Sequence, residues 1–413
     1  MKTKQIMNLA LISGMLLTTG CSDDQNTEVI ENNEPVELQI SPMVTMTRSV
    51  IQGGEQTGAD ANDLMKHVAV YAVDKSGTTD YTAAKSNNYA LYTRAYSGST
   101  TWTSGDDKIF LTNSLATVYA YHPAYTPGNT NQDMQTSGTA LKATGTGANM
   151  TIPVTVFQGT DGTTTIAVID NADKKWNGSN AWTDNDEAAK KKIASAAGEV
   201  DYMYATPLDD VSNGHSSSAT SVESAYKKEL TMNHALSLLS FRVYNDGTYE
   251  NTGSLTKIEL KDGKASGSVL SKATSCTMKI ADGTIAGRST NSDESDDATF
   301  ARAITGYTLI TVGATDSQTT VATGSTANEA AAAASKKISI LVLPTTTISS
   351  NDVKATFTID AATYEISLPT TPNAWVKGTS YLYTVKLSGA GLSITKVTVT
   401  DWSTGTGGDI AIQ

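Results

Sequence analysis

The chain has 413 residues, of which 39% are hydrophobic, 17% charged and 7% aromatic, and its formal net charge is −12. That length suits two domains rather than one, and an acidic chain without a basic patch offers phosphates no surface, so no nucleic-acid partner is expected. Two cysteines, Cys21 and Cys276, cannot build a disulfide framework, and His67, His122, His215 and His234 show no metal-ligand spacing, so neither a metal nor a cofactor is expected.

Lys2 and Lys4 give a positive start, followed by an apolar stretch over residues 6–17 that is too short to span a bilayer. It ends in Leu17-Thr18-Thr19-Gly20-Cys21, which resembles a lipobox, although Thr18 stands where Leu is usual. Residues 1–20 therefore read as a lipoprotein signal peptide and Cys21 as the lipidated residue, with that lipid as the sole anchor. Asp23 and Asp24 follow, resembling a signal for export to the outer leaflet. The partners this implies are the export and lipidation machinery, and the location is the outer membrane and cell surface of a Gram-negative envelope.

Val36, Leu38 and Ile40 alternate with Glu37 and Gln39, predicting a short half-buried strand that Pro42 should end. Thr47-Arg48-Ser49 and the Gly-rich residues 52–55 come next. Alternation returns at residues 67–73, 116–121, 151–157, 164–169 and 202–204, with turn chemistry at 97–100 and 104–107 and Trp102, Ile109 and Leu111 as core anchors. Asp184, with Glu187 three residues on, predicts a helix over residues 184–197. Residues 209–221 are rich in Ser, Asn and Gly and read as a boundary between domains at 49–215 and 216–413, preceded by a pro-segment at 21–48.

Beyond the boundary, residues 228–232 lead into 236–243, the strongest core strand in the chain. Cys276 reads as a small buried residue. Strands are expected at 256–260, 308–312 and 338–343, a short helix or loop at 328–337, and a hairpin from 353–359 to 364–368. Residues 375–378 read as a turn, and 381–387, 392–402 and 409–412 as closing strands. Many short strands separated by turn signals make an all-β chain of two tandem, Greek-key-like β-sandwich domains with few short helices.

Catalytic signatures are missing. The sequence holds no Gly-x-Ser-x-Gly elbow, dinucleotide fingerprint or phosphate loop. The acidic runs at 184–187 and 293–297 read as solvated faces rather than paired catalytic carboxylates. His234 and His122 both occupy strand ends. No enzyme and no catalytic residue is expected.

Several stretches, taken in order, resemble the fimbrillin family, the subunits of type V pili. They are the lipobox at Cys21, Thr47-Arg48, Val68-Ala69-Val70-Tyr71-Ala72, Ala116-Thr117-Val118-Tyr119-Ala120-Tyr121-His122-Pro123, Asp201-Tyr202-Met203-Tyr204-Ala205 and Asn233-His234-Ala235-Leu236-Ser237-Leu238-Leu239-Ser240-Phe241. The ending adds Trp375-Val376-Lys377-Gly378-Thr379-Ser380-Tyr381-Leu382-Tyr383-Thr384-Val385, Val397-Thr398-Val399-Thr400-Asp401-Trp402 and Gly407-Gly408-Asp409-Ile410.

The resemblance implies two transthyretin-like sandwiches exported as a lipoprotein. It also implies cleavage by an Arg-specific, trypsin-like surface protease between Arg48 and Ser49, removing the strand of Val36, Leu38 and Ile40. A C-terminal strand from another subunit, carrying Val397, Val399 and Trp402 or Ile410 and Ile412, would fill the vacated place and build a homopolymer that mediates adhesion. Two other readings stay open: a pilus anchor or tip adhesin, and a non-polymerising glycan-binding surface lipoprotein using Trp102, Trp176 and Trp182. The sequence identifies no receptor, whether host or bacterial.

Overall fold

The computed structural model describes residues 34–44, 65, 67–81, 87–94, 101–126, 139–159, 165–166, 174–176, 182–184, 193–194, 196, 199–215, 222–263, 269–271, 273, 275–288, 299–312, 325–402 and 407–410. Among them the chain is all-β, with two short α-helices, Val222–Tyr226 and Ser325–Ala334. No helix among the described residues is long and apolar enough to cross a membrane.

The first large sheet contains Gln39–Val44 (β1), His67–Asp74 (β2), Ala116–His122 (β3) and Lys227–His234 (β4). Across the sheet the order is β1, β4, Met203–Ala205, β3, β2, Tyr89–Arg94 and Trp102–Ser104, with Leu208–Val211 also paired to β3. β2 and β3 are buried on both faces, and their period of two sorts the side chains. Val68, Val70, Ala72, Val118 and Ala120 enter one core cluster, whereas Ala69, Tyr71, Val73, Tyr119 and Tyr121 enter another.

The second region is a sandwich. One sheet contains Ser237–Asn245 (β5), Lys337–Val342 (β6), Thr379–Ser388 (β7), Gly391–Asp401 (β8) and Gly407–Ile410 (β9), in the order Ile193–Ala194, β6, β5, β7, β8, β9. The other runs Ala362–Ser367, Val353–Ile359, Ser254–Asp262, Thr299–Thr308, Thr165–Ile166. Phe241 of β5 meets Phe357 of the facing sheet edge-on, with ring centroids 5.8 Å apart, and stacks on Tyr383 at 5.3 Å. Such pairs fill the space between two apolar sheet faces. The expected hairpin turns at Asp360 and Ala361, whose φ values of 48° and 64° suit a type I′ turn. The Asp360 carboxylate accepts hydrogen bonds from the Gly253 and Ser254 amides.

Strand pairing crosses residue 215 in both directions. Thr151–Pro153 pairs with Thr277–Lys279, Thr165–Ile166 with Thr299–Thr308, and Ile193–Ala194 with β6, while β4 belongs to the first sheet. The fully buried Arg302 guanidinium holds the Glu199 carboxylate and the carbonyls of Phe157 and Gln158, tying these three residues to the second sandwich.

Two local expectations are corrected. Pro42 does not end its strand but lies inside β1, opposite Leu230. β1 is an edge strand, where alternate N–H groups face away from the partner and proline is tolerated. The helix expected over residues 184–197 is not formed at either end, because Asp184 closes the strand Trp182–Asp184 and residues 193–194 form the strand Ile193–Ala194. Pairing with Lys174–Trp176 and with β6 overrides the capping signal there, and residues 185–192 lie outside the described set. The Ala-rich segment near 328 is helical, within Ser325–Ala334.

Candidate strand-docking site

Residues 34–44 link a two-stranded ribbon to the first large sheet. Val36 and Glu37 pair antiparallel with Leu111 and Phe110, and the Leu38 amide donates to the Ile109 carbonyl at 2.9 Å. The chain then turns its edge to β4 and pairs with it in parallel, from Gln39 opposite Lys227 to Val44 opposite Met232. A single extended segment thereby pairs first with Phe110–Leu111 and then with β4.

Side chains fasten it. Leu38 is fully buried and Ile40 is 5% exposed, both in the cluster with Val68, Val70, Leu111, Leu230 and Met232, while Val36 is half-buried. Burial of one such side chain is worth about 1.5–3 kcal/mol. The Tyr92 hydroxyl donates to the Leu38 carbonyl at 2.6 Å, and the Asn213 amide donates to the Glu34 carbonyl at 3.0 Å. Burial, with the Glu37 charge second, holds the Tyr92 phenol above its ordinary pKa, so it remains a donor. The Glu37 carboxylate accepts from Ser104 Oγ at 2.5 Å and Lys108 Nζ at 2.7 Å. Burial alone would raise its pKa, but those two hydrogen bonds and the Lys108 charge carry it below the usual value.

The C-terminal candidates lie elsewhere and are held differently. β8 pairs with β7 from Asp401 opposite Thr379 to Gly391 opposite Ser388. On its other side β9 covers only Val397 to Thr400, with Ile410 opposite Val397. Val397 is the one fully buried side chain of β8, and Val399 is half-buried. Trp402 is 2% exposed. Cys21, Arg48, Ser49 and Ile412 lie outside the described residues, as does the side chain of Ile410.

Sequence reading missed a buried cluster where these regions meet. The Trp402 ring lies flat on the His234 imidazole, with centroids 3.7 Å apart and planes 4° apart. His234 Nδ1 is 3.0 Å from the Asp201 carboxylate, and the Asp201 carbonyl is 2.7 Å from His122 Nδ1. All four residues are buried. Desolvation, helped by its histidine neighbours, lowers His122 to about 4. Burial raises the Asp201 carboxyl against the pull of His234, and it pushes Glu199 up to about 7 against the pull of Arg302. Two strand-end positions, His234 and Trp402, were the available signal, but nothing local says that they meet.

The cluster offers no evident chemistry. It is closed to solvent, and no group of three or more His, Cys, Asp or Glu able to hold a metal occurs among the described residues. Of the tryptophans considered for sugar stacking, Trp102 is buried, with the Arg94 guanidinium 5.5 Å from its ring centroid. Trp176 and Trp182 stand opposite each other in the ribbon of Lys174–Trp176 and Trp182–Asp184. Cys276 is buried.

The chain is similar to known proteins in sequence and in structure. The sequence model described as fimbrillin-like matches residues 47–402. No protein of curated function matches the sequence. Among solved structures, a fimbrial protein from Bacteroides vulgatus is 14% identical with a TM-score of 0.46, covering 91% of this chain and 99% of its own. A candidate cell adhesion protein from Bacteroides uniformis is 15% identical with a TM-score of 0.47, covering 89% and 98%. A fimbrial assembly protein from Parabacteroides distasonis is 10% identical with a TM-score of 0.37, covering 91% and 100%.

Proposed function

Because the chain belongs to the fimbrillin-like family, we propose that it is a cell-surface pilus subunit that polymerises when β1 is cut away and a strand from another subunit takes its place. The observation that carries this reading is the position of β1. It is an edge strand, it precedes the family match that begins at residue 47, and with Leu38 just before it, it contributes Ile40 to an apolar core that would lie open without it. An uncovered sheet edge beside an exposed core is costly until another strand pairs with it.

In this reading Arg48–Ser49 is the bond cut by an Arg-specific surface protease, which frees the body from the lipid on Cys21. The incoming strand is C-terminal, carrying Val397, Val399 and Trp402 or Ile410 and Ile412. Its partners are copies of the same subunit, and its assembly delivers adhesion at the cell surface. The two-domain division at 49–215 and 216–413 belongs to the same proposal, with strands on each side of residue 215 lent to the sheets of the other. So does a purely structural, non-enzymatic role.

The test is to express residues 22–413, treat them with a trypsin-like protease, sequence the new N-terminus and follow size by light scattering. A cut after Arg48 followed by growth into SDS-resistant multimers is expected, and Arg48→Ala should stay monomeric. A cut protein that remains a monomer would instead favour an anchor, a tip adhesin or a glycan-binding lipoprotein.

A further inference from the structure

β4, the strand that receives β1, ends at His234, and the His234 ring is covered by Trp402. Trp402 is also pinned by its backbone, because its amide donates to the Gly378 carbonyl at 2.8 Å and the Gly378 amide donates to the Leu236 carbonyl at 2.8 Å. One end of β4 thus carries the first strand, and the other end, with the two residues after it, fixes the chain just before β9 (Gly407–Ile410). A paired strand is a stiff element, so displacement along it is felt at both ends.

The stack is tight but incompletely satisfied. Trp402 Nε1 and His234 Nε2 are both buried without a hydrogen-bond partner among the described residues. Each forgoes a bond that water would supply if the stack opened. The Asp201 side of the imidazole is satisfied, so the histidine stays in place while the tryptophan is the member poised to leave. Closed, the arrangement gains ring stacking and apolar burial; open, it gains two hydrated nitrogens. Opposed gains of this kind make an element that can exist in two states.

We propose that the His234–Trp402 stack is a latch that holds the C-terminal segment on its own subunit while β1 is in place and releases it when β1 departs. This rests on the reading of β1 as a removable strand. It adds an order to assembly: a subunit offers its own C-terminal strand only after its own first strand has gone. Coupling between two sites is reciprocal, so opening the latch also loosens β1.

Hydrogen–deuterium exchange with mass spectrometry on the full chain tests it. In Ile40→Asp, which places a charge at a buried position of β1, exchange should quicken about tenfold or more both in Lys227–His234 and in peptides covering Trp402 and Gly407–Ile410. Ser237–Asn245 should not change, which also reports that the core is folded. Faster exchange in β4 with no change at Trp402 and β9 overturns the latch and leaves the removable strand standing. No change in either overturns the removable strand, and the latch with it. Trp402→Ala supplies the reverse arm. The latch requires faster exchange in Gln39–Val44, whereas a tryptophan that merely packs would loosen only its own neighbours.

Discussion

β1 and β8 both lie near the chain ends, yet they are held by different forces. β1 and the residues leading into it are keyed through side chains, with Leu38 and Ile40 in the core and Tyr92, Ser104 and Lys108 fastening the Leu38 carbonyl and Glu37. β8 is held mainly by its ladder to β7, and Val397 alone among its side chains is fully buried. Strand pairing and core filling are therefore separable. Withdrawing β1 would leave a cavity as well as an open edge, whereas β8 presents half-buried side chains suited to more than one surface.

The most direct way to break this contrast is by truncation. Leu38→Ala should cost about 2–5 kcal/mol in urea denaturation, while Val399→Ala should cost about 1 kcal/mol or less. Equal costs would mean that β8 is keyed as deeply as β1.

Next in size is a pair of opposed pH dependences at the seam between the regions. Glu199, at about 7 in the fold against an ordinary 4.5, keeps a proton on folding, so its stabilising contribution is lost as pH rises between those values. His122, at about 4 against 6.5, is kept neutral, so its contribution is lost as pH falls through that window. Between roughly pH 4.5 and 6.5 the two slopes oppose each other, each at most about 1.4 kcal/mol per unit. Glu199→Gln should leave a stability that rises with pH in this window, and His122→Asn one that falls, as read by thermal melts in a pH series. Parallel slopes in the two variants would refute the assignment.

The smallest effect isolates the fastening from the burial. Tyr92→Phe keeps the ring but removes the donor to the Leu38 carbonyl, and should cost about 1 kcal/mol. The loss should be reported by faster exchange in residues 38–44 rather than by global unfolding.

Much of the fold was legible in local pattern. Alternation marked β2, β3 and β5, and the hairpin at Asp360 was visible because a turn needs only its own residues. Pro42 misled because proline's meaning depends on whether a strand is central or at an edge, which is a property of the sheet. Residues 184–197 misled because a capping pattern competes with partners as distant as β6. The buried pairs Glu199–Arg302 and Asp201–His234 were invisible for the same reason. A charged residue reads as surface until its remote partner is known.

The parallel pairing of β1 with β4 also sets a timetable. β1 spans residues 39–44, but its partner begins at residue 227, so the first strand emerges long before anything exists to receive it. At ordinary synthesis rates of about 5–20 residues per second, the wait is roughly ten to forty seconds. During that interval an apolar edge is unclaimed, the condition in which chains stick to one another. Glu37 lies just before this segment and Pro42 within it, and a charge and a proline are residues of the kind that discourage premature pairing. Residues that look like flaws in a finished strand are safeguards in an unfinished one.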